Sequence, residues 1–348
     1  KKKNESSIIG RLRGWFYHGR FIGFDIQSII MTVLTALTII TTVIMGLLLY
    51  NRFKMAIKQT AVTNTENMVE NTVEKLDADL LNVRQITNAV NYNIIQEYDI
   101  SSRDFNRQFS LLYEINADKI QSMALYDDKG NLLTAEPVAV QKDAVEPSEQ
   151  DWYQDAEADI ENIHFSIPHI QNLFVDGTYR YYWVVSLSRS VDINDGEQPG
   201  SGVLLVDMKY SVIEDTLARI NDASNGIYYY LCSRDGQMIY HPRGTDMDRG
   251  YFKEEYRDAA TYEDGTYELT FNGRTSNVIV NSVAYTGWKV VGVVPESVQI
   301  ASINRFRYYI ITTVIILMMM LLGVNRIISK KISRPILKLN ESVKAYEA

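Results

Sequence analysis

The strongest constraint in this sequence is a pair of long uncharged stretches, residues 26–51 and 308–325. An α-helix rises about 1.5 Å per residue, and the hydrocarbon core of a bilayer is about 30 Å thick. The first stretch is long enough to cross that core, and the second, with 18 residues bracketed by Arg307 and Arg326, is near the lower limit. We therefore predict two transmembrane helices, at 26–51 and at 308–325.

Each stretch has an alternative explanation. A cleaved signal peptide also has a basic segment before an apolar one, but its apolar region has only about 7–15 residues and ends at small residues. The first stretch is longer and continues through Leu47-Leu48-Leu49-Tyr50, which favours an uncleaved anchor. The second stretch would otherwise be a buried core helix, and the charges that bracket it favour a membrane span.

Charge divides the chain into three parts. The formal net charge is −8, and segments 1–27 and 326–348 each carry a net of +4, so the segment between them carries −16. Short basic flanks of membrane helices stay in the cytoplasm. We therefore expect a multi-pass protein of the cell membrane with cytoplasmic tails at 1–25 and 326–348, close to anionic lipid head groups, and an extracellular module at 52–307.

A long helix is expected at the start of that module, because no glycine or proline interrupts the sequence between Gly46 and Gly130. Apolar or small residues recur there at alternating steps of four and three, the spacing of one helix face. These positions are Val69, Val73, Leu76, Leu80, Val83, Thr87, Val90 and Ile94. A second helix is predicted near 104–115, within a stalk region of 52–118. The seam fits a dimeric coiled coil and packing against its own domain equally well.

Beyond Lys119, short strand-like runs alternate with turn residues. Segments 122–133 and 227–240 each contain two such runs around a glycine turn, so both predict a hairpin. Further strands are predicted at 179–191, 203–208, 267–271, 277–283 and 288–294, with a helix at 212–220. We therefore predict an α+β membrane protein with two tandem antiparallel sheet units, 119–220 and 221–296, between the transmembrane helices.

This arrangement of helices, sheets and membrane anchors resembles a known type of sensor domain. A membrane anchor, a long helix, two sheet units with Asp-x-x-Gly hairpins and a second anchor resemble the double Cache (dCache) sensor domains of bacterial receptors, whose PAS-like units are membrane-distal and membrane-proximal. More narrowly, the chain is similar to the YesM-like sensor histidine kinases of Gram-positive bacteria. The motifs of that similarity are Asp151-Trp152-Tyr153-Gln154-Asp155-Ala156, His164-Phe165-Ser166, Pro168-His169-Ile170-Gln171, Val185–Arg189, Gly202–Asp207 and Tyr240-His241-Pro242.

The segment 326–348 resembles the first helix of a HAMP domain, a parallel four-helix relay. Pro335 lies near its start, where the missing N–H costs least. Its apolar seam, which steps by four and three residues as helix bundles require, includes Ile332, Ile336, Leu339 and Val343. These residues are the expected signal relay.

The resemblance implies the input half of a homodimeric sensor histidine kinase in a two-component system. Such a receptor detects an extracellular small molecule and passes the signal through the second transmembrane helix and HAMP to a kinase beyond Ala348, which acts on a response regulator. A chemoreceptor, that is a methyl-accepting chemotaxis protein, and a cyclase sensor share the same architecture. Both stay as alternatives.

Catalytic motifs are missing from the sequence itself, which has no Walker-type glycine loop, His-Glu-x-x-His zinc motif or Gly-x-Ser-x-Gly elbow. Three of its histidines, His164, His169 and His241, fall in the extracellular module, and His18 is in the basic tail. A single cysteine, Cys232, excludes an intramolecular disulfide and a cysteine-rich zinc site. We expect no cofactor, no metal and no nucleic-acid partner.

A ligand site in the membrane-distal unit is implied by the resemblance. Trp152 and Tyr153 would form a pocket wall, since aromatic faces exclude water and stack on flat or sugar-ring surfaces. Asp207 corresponds to a position that pairs with the ligand amine in amino-acid-binding members, but Gln150 stands where those members have a carboxylate-binding arginine. We therefore expect a carbohydrate or another small organic molecule rather than a free amino acid. Further candidates are Tyr181, Trp183, Arg189 and His169.

Structural roles are the alternative for these residues. Trp152 is equally suited to anchoring the core, and Asp207 to capping the helix that follows it. Arg189 would then pair with an acidic neighbour. His164 and His169 suit hydrogen-bonded structural roles better than metal binding.

Overall fold

The computed structural model describes residues 26–346, apart from 160–161, 176–179, 195–198, 222–225, 251–259 and 272–273. The predicted tail at 1–25, with His18, lies outside the described residues. The chain forms two compact units. One contains residues 59–299, and the other contains the described residues up to Lys58 together with those from Ile300 onward.

The predicted long helix is confirmed. Helix α1, Ile26–Val90, has 65 residues, so the first apolar stretch and the stalk form one helix that ends in a π-helical turn at Asn91–Ile95. Helix α2, Arg103–Asn116, matches the second predicted helix. It begins where the Ser102 hydroxyl accepts a hydrogen bond from the Phe105 N–H, a usual N-cap arrangement.

The first sheet is antiparallel and has six strands. They are β1 Ile120–Asp127, β2 Leu132–Glu136, β3 His164–Phe165, β4 His169–Ile170, β5 Trp183–Asn194 and β6 Pro199–Lys209. The order is β2-β1-β6-β5-β3, with β4 also paired to β5. A 3-10 turn at Pro147–Glu149 and helix α3, Asp151–Ala158, lie between β2 and β3, and helix α4, Ser211–Ile220, follows β6.

The second sheet is antiparallel and has five strands. They are β7 Tyr228–Cys232, β8 Met238–Tyr240, β9 Gly265–Phe271, β10 Arg274–Ser282 and β11 Lys289–Pro295, with a short helix α5 at Gly244–Asp248 after β8. The order β8-β7-β11-β10-β9 is the order of the first sheet, strand for strand. The predicted repeat of one sheet unit is therefore confirmed.

Both predicted hairpins have the same turn chemistry. Gly130 and Gly236 adopt φ values of 79° and 83°, which side chains with a Cβ rarely tolerate. In the first turn, a carboxylate oxygen of Asp127 accepts the backbone N–H of Asn131 at 2.7 Å. In the second, the Ser233 hydroxyl accepts the N–H of Gln237 at 2.8 Å. Local side-chain hydrogen bonds of this kind fix a turn without help from the core.

One apolar core joins the stalk to both sheets. The predicted seam of α1 is buried or partly buried from Val69 to Ile94. It shares a cluster with Leu187 and Val206 of the first sheet and with Trp288 and Val290 at the second. The seam therefore packs against its own domain, which decides between the two alternatives that its spacing allows.

The other unit pairs the apolar segments of two helices. Helix α6, Glu296–Tyr346, contains the second apolar stretch. Gly46 of α1 lies against Val314 of α6, since a Cβ at Gly46 would be 3.3 Å from a Val314 methyl. Asn325 donates to the Thr38 hydroxyl at 2.6 Å, which is a side-chain hydrogen bond between the two helices. Segments 31–95 and 306–331 contain helical windows apolar enough to cross a membrane.

The C-terminal part of α6 differs from the sequence prediction. The proline was expected near the start of a separate helix, but Pro335 lies inside α6, which continues to Tyr346. Pro335 removes one hydrogen bond of the helix ladder, and the residues on either side keep helical backbone. The side chains of Ile332, Ile336, Leu339 and Val343 lie outside the described residues, so the relay seam stays a prediction.

Gly292 on β11 generates a prediction about how α1 packs on the second sheet. An added methyl would lie 2.6 Å from Thr65 Cγ2 and 2.8 Å from Val69 Cγ2. Both neighbours are β-branched residues with stiff side chains, so we expect Gly292→Ala to lower the free energy of unfolding by about 1–3 kcal/mol. Gly200→Ala on β6 is the matched control, because nothing lies within 4 Å of its added methyl. Equal melting temperatures for the two variants would contradict this packing.

Candidate ligand-binding site

The two faces of the first sheet have different partners. Alternate residues of β6, Leu204 and Val206, belong to the core shared with α1. Val203 and Leu205 point to the other face and pack with helix α3. Helix α3 closes this second face with a buried Trp152. The second face of the sheet is therefore covered by a short aromatic helix, as the resemblance implies.

Asp207 lies on the α3-facing side of β6, the central strand of the sheet, and is 1% exposed. It stands opposite Ser122 of β1 and Ser186 of β5 in the sheet register. Both serines donate to its carboxylate, Ser122 Oγ to Oδ2 at 2.7 Å and Ser186 Oγ to Oδ1 at 2.5 Å. The capping alternative is wrong, because Tyr210 is the N-cap residue of α4 and no side chain caps that helix.

His169 extends this hydrogen-bonded group. Its Nε2 lies 3.3 Å from Ser186 Oγ, and its Nδ1 lies 3.1 Å from the Ile167 carbonyl oxygen. A carbonyl only accepts, so Nδ1 carries a proton. The Ser186 hydroxyl donates to Asp207, so the side chains of His169, Ser186 and Asp207 form one continuous hydrogen-bonded group.

The surroundings of Asp207 favour its neutral form. Burial is the largest effect and raises its pKa. Hydrogen bonds from Ser186 and Ser122, the positive charge of His169 and a hydrogen bond from Gln171 lower that pKa in part. A carboxylate offers about four acceptor positions, and these side chains occupy three. The fourth position has no donor among the side chains that act on the Asp207 pKa.

Two further hydroxyls on this face are buried without a hydrogen-bond partner among the described residues. They belong to Tyr126, which is 0% exposed, and Ser188, which is 1% exposed. The Tyr126 ring lies 5.5 Å from the Trp152 ring. Burial, and then the charge of Asp207, raise the pKa of the Tyr126 hydroxyl, so the two groups are electrostatic neighbours. Unpaired buried hydroxyls are rare in native proteins and call for a partner.

The structure brings four of the predicted site residues together. Trp152, Tyr153, Asp207 and His169 all lie at the α3-facing side of the sheet. Tyr153 is fixed by a hydrogen bond from its hydroxyl to the Asp127 carbonyl oxygen at 2.7 Å. Trp152 serves the core as well as the site, since it is buried in the cluster under α3.

Three other predicted residues lie elsewhere. Tyr181 precedes β5, outside the strand predicted to begin at 179, and is 79% exposed. Trp183 is 51% exposed and packs near Tyr210. Arg189 points to the opposite face, where it donates to Asn88 Oδ1 of α1 at 2.9 Å. It therefore ties β5 to the stalk, through an amide rather than the acidic partner expected. Tyr179, the first residue of the strand predicted at 179–191, lies outside the described residues.

Sequence reasoning missed the hydroxyl groups of the site, Ser122, Ser186, Ser188 and Tyr126. A signal was present in β5, where Ser186 and Ser188 alternate with Val185 and Leu187. Polar residues at one parity of an otherwise apolar strand mark the less apolar face. The partner of Ser122 is 85 residues away in sequence, and nothing local identifies it.

The chain matches a known family model. The model described as Cache domain matches residues 53–303. A probable methyl-accepting chemotaxis protein of Bacillus thuringiensis subsp. konkukian is 20% identical over 301 residues, which are 83% of this chain and 42% of that protein. This chain spans less than half the length of the curated relatives it matches. These relatives are chemotaxis proteins, so the YesM-like histidine kinase assignment has no support among them.

Solved structures share the fold. The ligand-binding domain of the Pseudomonas fluorescens chemoreceptor CtaA, in complex with L-isoleucine, has a TM-score of 0.50 and 18% identity over 72% of this chain and 98% of its own. That of the Campylobacter jejuni chemoreceptor Tlp3, in complex with 4-methylisoleucine, has a TM-score of 0.54 and 11% identity over 70% and 94%. At these identities the likeness shows a common fold.

The raised pKa of Asp207 predicts a pH dependence of stability. In the window above the ordinary aspartate pKa, about 3.9, the folded state holds more protons than the unfolded state. Stability therefore falls as pH rises through this window. Asp207→Asn should remove that fall, so the variant gains melting temperature relative to the wild type between pH 4 and 8.

Asp235 provides the matched control for this measurement. A hydrogen bond from Ser233 lowers its pKa, so its contribution has the opposite sign and is lost as pH falls. Parallel melting curves for wild type and Asp207→Asn at every pH would contradict the buried-carboxylate assignment.

Proposed function

The chain belongs to the Cache domain family, and from this premise we propose that it is the sensor part of a transmembrane receptor that binds a small organic amine beside Asp207. The family match covers residues 53–303, which include both sheets and the site. Two candidate membrane spans flank the sensor in sequence. In this receptor the basic tails lie inside the cell and the sheet units outside, as the positive-inside rule predicts.

The buried carboxylate of Asp207 is the observation that best supports this function. A buried carboxylate is unfavourable unless a cation or hydrogen bonds compensate its charge. Two serine hydroxyls, with the Gln171 side chain, supply hydrogen bonds and leave one acceptor position. A ligand ammonium group fits that position in charge and in donor capacity. The Trp152 ring lies on the same side of the sheet, 5.5 Å from the Tyr126 ring, and an aromatic face also favours a cation.

The choice of an amine departs from the carbohydrate preference drawn from Gln150. The neighbours CtaA and Tlp3 were solved with L-isoleucine and 4-methylisoleucine, which both contain an amine. Gln150 donates its amide to the Glu146 carbonyl oxygen at 3.4 Å. It therefore gives no positive charge to the site, and the acid end of an amino acid would have to be held in another way.

For the output, a chemoreceptor is favoured over a histidine kinase. The curated relatives are chemotaxis proteins, and the chain spans 42% of the first of them. We further propose that the receptor works as a homodimer and relays its signal through helix α6 and a HAMP-type segment. A ligand shifts such a relay only through unequal affinity for its two states.

The ligand assignment is tested by thermal unfolding of the full chain in lipid nanodiscs. Amino acids, amino alcohols, alkylamines, glucose and acetate form the panel. We expect at least one amine to raise the melting temperature, because ligand at 100 times its Kd adds about 2.7 kcal/mol to stability. Asp207→Asn should lose this shift, while Asp235→Asn, an exposed acidic control in the second unit, should keep it. A shift with glucose that survives Asp207→Asn would return the ligand to the carbohydrate class.

The output is tested with two hybrids that join residues 1–348 to the cytoplasmic part of a Bacillus chemoreceptor or of a histidine kinase. We expect the stabilising amine to change swimming behaviour through the first hybrid. Trp152→Phe keeps most of the buried area but has a weaker ring face, so the half-maximal concentration should rise about three- to tenfold. A ligand response confined to the kinase hybrid would favour the kinase instead.

A further inference from the structure

We propose that the hydroxyls of Tyr126 and Ser188 form a second subsite, which binds an uncharged hydroxyl or carbonyl group of a ligand whose amine is held by Asp207. This inference rests on the proposed function and narrows its ligand class. The preferred ligand is then a small cation with a neutral polar group, such as an amino alcohol or an amino amide, rather than a zwitterion.

The two hydroxyls are buried deeply enough to need a partner. Neither has a hydrogen-bond partner among the described residues, and both residues are at least 99% buried. Leaving a donor and an acceptor unpaired in a low-dielectric interior is unfavourable, and a ligand that pairs with them recovers that loss. The site therefore already carries an affinity for a polar group.

The sheet register places these hydroxyls on the Asp207 side. Ser188 is two residues from Ser186 along β5, so both side chains point to the same face, about 7 Å apart along the strand. Tyr126 is four residues from Ser122 on β1, so both side chains point to the same face. The charge of Asp207 contributes to the raised pKa of the Tyr126 hydroxyl, which places the two groups near each other. Ala124, between them on the same face, has a small side chain that leaves Tyr126 and Trp152 in contact.

Charge decides which polar group fits there. A ligand carboxylate there would be buried on the same side of the sheet as Asp207, and burying a second acidic group without a cation is unfavourable. The nearest arginine on β5, Arg189, points to the opposite face and binds Asn88. Hydroxyls are neutral and can donate or accept. They therefore match a ligand alcohol or carbonyl better than an acid.

Four amines of similar size show how much the second polar group of the ligand contributes to affinity. L-alaninol carries a hydroxyl, L-alaninamide a carbonyl, L-alanine a carboxylate and isopropylamine no second polar group. Binding to the full chain in nanodiscs is measured by calorimetry at pH 7. We expect L-alaninol and L-alaninamide to bind about 3- to 10-fold tighter than isopropylamine, one neutral hydrogen bond's contribution. L-alanine should bind weakest.

Two variants assign the difference to the hydroxyls. Tyr126→Phe and Ser188→Ala should each weaken L-alaninol and L-alaninamide about 3- to 10-fold and leave isopropylamine unchanged. Neither should lower the melting temperature of the ligand-free chain, because each removes an unpartnered buried hydroxyl. Tyr230→Phe and Ser276→Ala, buried in the second sheet, are the matched controls and should change no affinity.

The results of these binding experiments distinguish failure of the hydroxyl subsite from failure of the proposed amine receptor. L-alanine binding as tightly as L-alaninol, with Asp207→Asn abolishing both and the hydroxyl variants changing neither, would overturn the subsite and keep the amine receptor. Equal weakening of all four probes by Tyr126→Phe would also overturn it, because the effect would then be packing. Absence of binding by every probe to the wild-type chain would remove the amine receptor and the subsite together.

Discussion

The buried seam of helix α1 is the interaction on which the sensor depends. The buried residues of the α1 seam, from Val69 to Ile94, form a wall that packs against one face of each sheet. These two sheet faces and the helix therefore share one apolar core. Gly292 lets the helix approach the second sheet closely, and Arg189 ties the first sheet to the helix through Asn88. Removing this wall would expose the apolar face that each sheet buries in the shared core, and such a face is stable only when it packs against another element.

Because α1 covers one face of the first sheet, the other face is free to be partly polar. Strand β5 illustrates the division, since Val185 and Leu187 pack toward the helix while Ser186 and Ser188 point to α3. Successive side chains of a strand point to opposite faces of the sheet, so this alternation in sequence gives one apolar face and one partly polar face. The face toward α1 is then mainly apolar, and the other face combines an apolar cluster under α3 with a buried carboxylate and unpaired hydroxyls.

Local sequence patterns predicted most of the fold but only part of the site. The hairpin turns at Gly130 and Gly236 and the seam of α1 follow from turn chemistry and periodicity, which act over a few residues. The Ser122 partner of Asp207 follows from strand order, which no local pattern contains. Arg189 could have been assigned to the stalk face from its parity with Val185 and Leu187. Pro335 was read as a helix start, but neighbouring helical residues tolerate it inside α6.

In the proposed receptor, the buried carboxylate of Asp207 makes this face suited to ligand detection. Burial raises the pKa of Asp207, and a bound cation would lower it, so the ligand would favour the charged carboxylate. His169 contacts the Ser186 hydroxyl that donates to Asp207. A bound ammonium group would meet this hydrogen-bonded group at the same carboxylate. Because these side chains belong to β4, β5 and β6, a ligand at Asp207 would act on three strands of the sheet rather than on one side chain.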